Sequence, residues 1–160
     1  CGIKNIAGTE DCESCTAPLA ELSTPQPKKG LPFKILTGSL KNLNPRKAAS
    51  ISIESTVADA AQIMRKNKIG CVLVLDQRNL VGILSERDLL LEAAGKAPLN
   101  SIKVAAIMHK DPLCLKADDP VSFALHHMSV GGYRHLPVYL EDNSLGIISA
   151  RDLLRYLSST

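Results

Sequence analysis

Two stretches place a hydroxyl and a carboxylate three residues apart, each directly after an apolar run. They are Ser85 and Asp88 in "GILSERD", and Ser149 and Asp152 in "GIISARD". Two chemistries fit this spacing. As a capping box, the hydroxyl and the carboxylate satisfy free N–H groups at a helix start. As a ligand site, a carboxylate held at a helix start accepts hydrogen bonds from a ribose diol. One Asp can do both. Capping leaves Gly82 and Gly146 unexplained, because a glycine inside a strand often marks close approach of a ligand or another backbone. A further set is Cys1, Cys12 and Cys15. Cys12-x-x-Cys15 puts two thiolates on one tight turn, the spacing of a structural zinc knuckle, and Cys1-Gly2 reads as the second half of another. No nucleophile, base and orienting group come together anywhere, so the expectation is a protein that is not an enzyme.

These residues need elements to hold them. The chain has 160 residues, 45% apolar and 22% charged, enough for one domain or two small ones with a shared core. Aromatics are 3% and Trp is absent, so that core is aliphatic. A net charge of +3 is too mild to imply nucleic acid. No apolar run approaches the roughly 20 residues of a spanning helix. No secretory leader precedes Cys1, and the missing Met suggests a fragment or a processed chain. Cys71 and Cys114 lie in apolar segments and read as small buried hydrophobes.

Residues 57–90 laid over 121–154 match without a gap: Val57, Ala60, Met64, Val74, Asn79 and Gly82 recur as Val121, Ala124, Met128, Val138, Asn143 and Gly146. One fixed offset with this many identities means two copies of a supersecondary unit. In the first copy "SISIE" alternates as a strand and "STVADAAQIMRKN" is a helix capped by Ser55 or Thr56. "CVLVLD" and "LVGILS" are strands around a turn, and "ERDLLLEAAG" is a helix stopped by Gly95 and Pro98. The order is β-α-β-β-α, and "LCLK" through "ARDLLRYLSS" repeats it, with Pro120 expected at the first helical position. One such unit buries little surface alone. The reading is an α/β (α+β) fold of two repeats, packed around a pseudo-twofold axis with two related clefts between them.

"GILSERD" and "GIISARD" resemble the G-h-h-S/T-x-x-D signature of the CBS domain, named after cystathionine β-synthase. The β-α-β-β-α order and the tandem pairing are similar as well, over roughly Arg46 to Thr160. The resemblance implies a Bateman module that binds an adenosine nucleotide between its repeats. Asp88 and Asp152 would then contact ribose, with Ser85 and Ser149 near ribose or phosphate. In "YRHLPV", Arg134 and His135 occupy places where such pairs carry phosphate-binding residues; taken alone, they also fit a strand-end charge and a core histidine. At the same offset stand Gly70 and Cys71, so the clefts are expected to differ. Arg46, Lys47, His109 and Lys110 are expected to open the first strand of each copy, as further phosphate contacts or as a solvated rim. Ile107, Met108, Pro112 and Leu113, or Ala48, Ala49 and Ile51, are candidates for an adenine slot. His126 and His127 are adjacent on a helix and are not read as metal ligands.

The amino-terminal stretch resembles a zinc ribbon of the form C-x-x-C-G-x-x-N…C-x-x-C-x-A-x-L, on Gly2, Asn5, Ala17 and Leu19, with one ligand short. The alternatives are a redox pair or a lipidated Cys1. The expected organisation is a zinc-ribbon-like segment at 1–24, a linker and lead-in at 25–45, and repeats at 46–98 and 99–160. The lead-in "FKILTGSLKNLN" is expected against the first repeat. The expectations for partners are an adenosine nucleotide, a homodimer through the repeats and a protein contact through the ribbon, in the cytoplasm. The alternative is a nucleic-acid-binding regulator that reads through the ribbon, with the repeats as a dimerisation unit.

Overall fold

The computed structural model describes residues 14–16, 30–93, 95 and 98–159. The first half comprises helix α1 (Leu31–Thr37), a single helical turn (Leu40–Leu43), strands β1 (Arg46–Lys47) and β2 (Ser50–Ser52), helix α2 (Val57–Asn67), strands β3 (Cys71–Asp76) and β4 (Asn79–Ser85), and α3 (Glu86–Asp88), which continues as a wider helical turn over Leu89–Ala93. The second half repeats the pattern with a helical turn (Val104–Ala106), β5 (His109–Lys110), β6 (Leu115–Lys116), α4 (Val121–Gly131), β7 (His135–Tyr139), β8 (Leu145–Ser149) and α5 (Ala150–Ser158).

The strands form two four-stranded sheets, β2-β3-β4-β5 and β1-β8-β7-β6. Each sheet therefore ends in a short strand borrowed from the other repeat. The expectation that Arg46–Lys47 and His109–Lys110 open their own copies is corrected here: β1 pairs with β8, Arg46 opposite Ile147, and β5 pairs with β4, His109 opposite Ile83. Two residues carry no periodicity, so the sequence pattern could not show which sheet edge they would join.

The lead-ins cross in the same way. Leu40 and Leu43 are buried in the second repeat's core, with Val121, Ala124, Leu136, Val138, Ile148 and Leu153. Leu40 N–H donates to Asp119 O at 2.9 Å, and Val121 N–H to Gly38 O at 2.8 Å. The lead-in expected against the first repeat thus packs on the second. Reciprocally, Val104 joins Ile51, Ala60, Met64, Val72, Val74 and Leu84 of the first. Both cores are aliphatic.

Other departures are small. Pro120 is the residue before α4 rather than its first turn, with extended backbone. The "SISIE" strand ends at Ser52. Gly82 and Gly146 do mark close approach, but of protein. A methyl at Gly82 would lie 2.4 Å from Met108 Sδ and 3.2 Å from His109 O, and one at Gly146 would lie 2.7 Å from Leu140 Cδ2 and 3.2 Å from Arg46 O. The glycines admit the crossing strands.

Candidate functional site

Among the described residues, three helix starts carry the same hydroxyl-to-aspartate capping box. At α2, Thr56 N–H and Oγ1 donate to Asp59 Oδ2 at 2.9 and 2.7 Å. At α3, Ser85 N–H and Oγ donate to Asp88 Oδ2 at 2.7 and 2.6 Å. At α5, Ser149 N–H and Oγ donate to Asp152 Oδ2 at 2.9 and 2.6 Å. The local motif therefore does not define a site. Burial does: Asp59 is exposed, whereas Asp88 is 6% exposed and is the buried charged side chain among the described residues. A buried carboxylate is costly unless paired. Asp88 is paired on both oxygens, since Oδ1 lies 3.0 Å from His109 Nε2. His109 arrives on the crossing strand β5.

Asp88 lines a cleft between the repeats that encloses about 570 Å³, its open mouth included. Ser85, Glu86 and Arg87 lie beside it, Gly70 and Ile83 form the first-repeat wall, and Gly132, Tyr133, Arg134 and His135 face it from the second repeat. Four of the sequence candidates from the two halves thus meet: Asp88, His109, Arg134 and His135, with Ser85 as the cap. Gly70 sits where the other repeat has Arg134. A methyl there would approach His135 Cε1 to 3.2 Å, so glycine leaves room for the imidazole. Burial is the chief cause that lowers the His135 pKa; Arg134 adds to it, while Glu86 and Asp152 oppose it.

The second acid stands in a different setting. Arg46 Nη2 is 3.6 Å and Arg155 Nη1 is 3.4 Å from Asp152 Oδ1. Lys47 acts instead on Asp142, whose carboxyl is held low mainly by the hydroxyl and N–H of Ser144. Met108 and Pro112 do not line the Asp88 cleft. Met108, Ile107 and Ala49 pack on the first-repeat core, and Ile51 belongs to it, so these apolar candidates are largely used in folding. The sequence reading named Gly70 only as the uncharged counterpart of Arg134, and it did not single out Glu86, Arg87 or Tyr133 as site residues. Arg87 recurs as Arg151 and was visible in the repeat; the others become neighbours only through the packing of the two halves.

Cys71 and Cys114 behave as expected of apolar positions: burial pushes their thiols up to about 12 and about 11. Cys15 is exposed. Cys1 and Cys12 lie outside the described residues, as does most of the zinc-ribbon-like segment. Among the described residues, no group of three or more His, Cys, Asp or Glu is placed to hold a metal. His126 and His127 touch edge to face, 5.4 Å between ring centroids. No described helix is long and apolar enough to cross a membrane.

Residues 40–95 and 104–159 each match the family described as CBS domain. An uncharacterized 17.7 kDa protein of Acidianus ambivalens is 39% identical over 104 residues, 64% of this chain and 62% of that protein. The Schizosaccharomyces pombe meiotically up-regulated gene 70 protein is 34% identical over 68% of this chain but 16% of its own length. The chain thus spans less than two thirds of either relative. Among solved structures, the CBS-domain containing protein ATU1752 of Agrobacterium tumefaciens superposes with a TM-score of 0.66 at 28% identity, over 73% of this chain and 97% of that one. A CBS domain protein of Pyrobaculum aerophilum, PAE2072, complexed with AMP, superposes with a TM-score of 0.65 at 26% identity, over 76% and 99%. The chain belongs to the CBS-domain family, with two CBS domains in tandem.

Proposed function

We propose that the chain is a regulatory module that senses an adenosine nucleotide in the cleft between its two CBS domains. The observation that carries this reading is the meeting of Asp88 from one repeat with Arg134 and His135 from the other. A fixed carboxylate suits a ribose diol, and a guanidinium suits phosphate oxygens. The AMP complex of the Pyrobaculum relative supports the ligand class. A ligand that touches both repeats favours one arrangement of the pair over others, and that difference is what a partner would read. By the repeat, Ser149, Asp152 and Arg46 would take the equivalent roles at a second position, with Lys47 next to Arg46 on β1.

Thermal unfolding of protein freed of co-purified ligand tests the reading. At about 100 times Kd, AMP, ADP or ATP should raise Tm by roughly 5–10 °C, and Asp88→Ala should cut the shift by about half or more. No shift with any of the three would refute the proposal.

Two further parts are carried by less. Structural zinc on Cys1, Cys12 and Cys15 rests on sequence spacing, and metal analysis of purified protein, with loss in Cys15→Ser, tests it. A homodimer fits the exposed Leu90, Leu91 and Leu154 on the helices after the two motifs; light scattering reads it directly.

A further inference from the structure

Asp88 offers its two oxygens unequally. Oδ2 accepts both bonds from Ser85 and is committed to the helix start. Oδ1 is left for the cleft, and His109 Nε2 stands on it at 3.0 Å. The two side chains differ in freedom: that of Asp88 is 8% exposed, that of His109 is 66% exposed. The acid is fixed and the imidazole can swing away. At Asp152 the partners on Oδ1 are Arg46 and Arg155, which carry a permanent charge. By strand register the counterpart of His109 is Arg46, since His109 lies opposite Ile83 and Arg46 opposite Ile147, so a permanent charge stands on the second acid where the first has an imidazole.

We infer that His109 is a displaceable lock on Asp88, and that its protonation sets how well the cleft takes a ribose-bearing ligand. The inference rests on the nucleotide reading above. A diol that uses Asp88 must share or displace His109 at Oδ1. A protonated imidazole adds the attraction of an ion pair to its bond with the carboxylate, which a neutral imidazole lacks. The diol therefore loses ground where the imidazole carries a proton. Glu86 and Arg87 flank Asp88 on α3, Arg134 and His135 face the cleft from the β7 side, and Lys110 follows His109 on β5. Their charges act on a phosphate as well as on His109. Adenosine carries no phosphate and isolates the diol contact.

Calorimetric titration with adenosine at about pH 8 and about pH 5.5, on wild type and His109→Gln, tests the lock. AMP at the higher pH is the parallel arm. Glutamine keeps a donor without a titrating charge, and position 109 is exposed, so the variant folds. Wild type should bind adenosine about three- to fivefold more weakly at the lower pH, the scale of a partly exposed ion pair. His109→Gln should bind equally at both. Equal slopes in the two proteins, or no slope in wild type, would overturn the lock. Binding of AMP without adenosine at either pH would overturn it too, because the diol contact would then contribute too little to be contested; the nucleotide reading would stand. Binding of neither ligand would overturn both.

Discussion

Arg46 Nη2 lies 3.6 Å from Asp152 Oδ1 although the two belong to different repeats. The contact exists because β1 leaves its own repeat and pairs with β8 at Gly146 and Ile147. His109 reaches Asp88 by the mirror-image route. Each motif acid is completed by the other half of the chain, so the Asp88 cleft and the setting of Asp152 are properties of the pair.

The crossing lead-in should be felt in the second core. Leu40 is fully buried there. Leu40→Ala should cost about 2–5 kcal/mol, read as a lower denaturant midpoint with unchanged m. A cost under about 0.5 kcal/mol would show that this segment does not form part of the core.

Gly82 tests the close crossing of β5. A methyl there meets the flexible Met108 Sδ, which can move, and the backbone His109 O, which moves less readily. Gly82→Ala should destabilise by about 1–3 kcal/mol, and Met108→Ala in the same chain should recover part of it. Full additivity of the two changes would contradict the contact.

His135 gives a pH signature. Burial lowers its pKa in the folded chain, so the unfolded chain takes up the proton first as pH falls. Its contribution is complete above about pH 6.5, the unfolded value, and is lost as pH drops through the lower folded value. Urea unfolding between about pH 7 and about pH 5 should show falling stability in wild type and a shallower fall in His135→Gln. The lowered carboxyls Asp59 and Asp142 act below that window.

Much of this was legible in the sequence. The offset between Asp88 and Asp152 revealed the duplication, and long periodic segments such as Val57–Asn67 and Cys71–Asp76 fell where their patterns indicated. The crossing of β1 and β5 was not legible, since strands of two residues have no pattern and their partners are distant in sequence. For the same reason Gly82 read as a mark of ligand or backbone approach, when it makes room for Met108 and the neighbouring strand. At the site, Ser85 and Asp88 were visible as a motif, but Thr56 and Asp59 form the same box with no cleft. Only packing separates the two. Gly70 could be recognised as an uncharged counterpart of Arg134, while its role as space for His135 required the fold.

The thiols should divide by burial. Cys71, pushed up to about 12, should resist alkylation at neutral pH until the chain unfolds, with the half-buried Cys114 slower than the exposed Cys15. Peptide mapping after timed alkylation reads each site, and rapid labelling of Cys71 in folded protein would contradict its placement.

Calorimetric titration of AMP into protein stripped of bound ligand addresses the shared cleft most directly, with Asp88→Ala and the surface variant Arg134→Ala as comparisons. Saturable binding, weakened about tenfold or more by either change, is the predicted result. Absence of binding, or an affinity untouched by both substitutions, would contradict a nucleotide held between the two repeats.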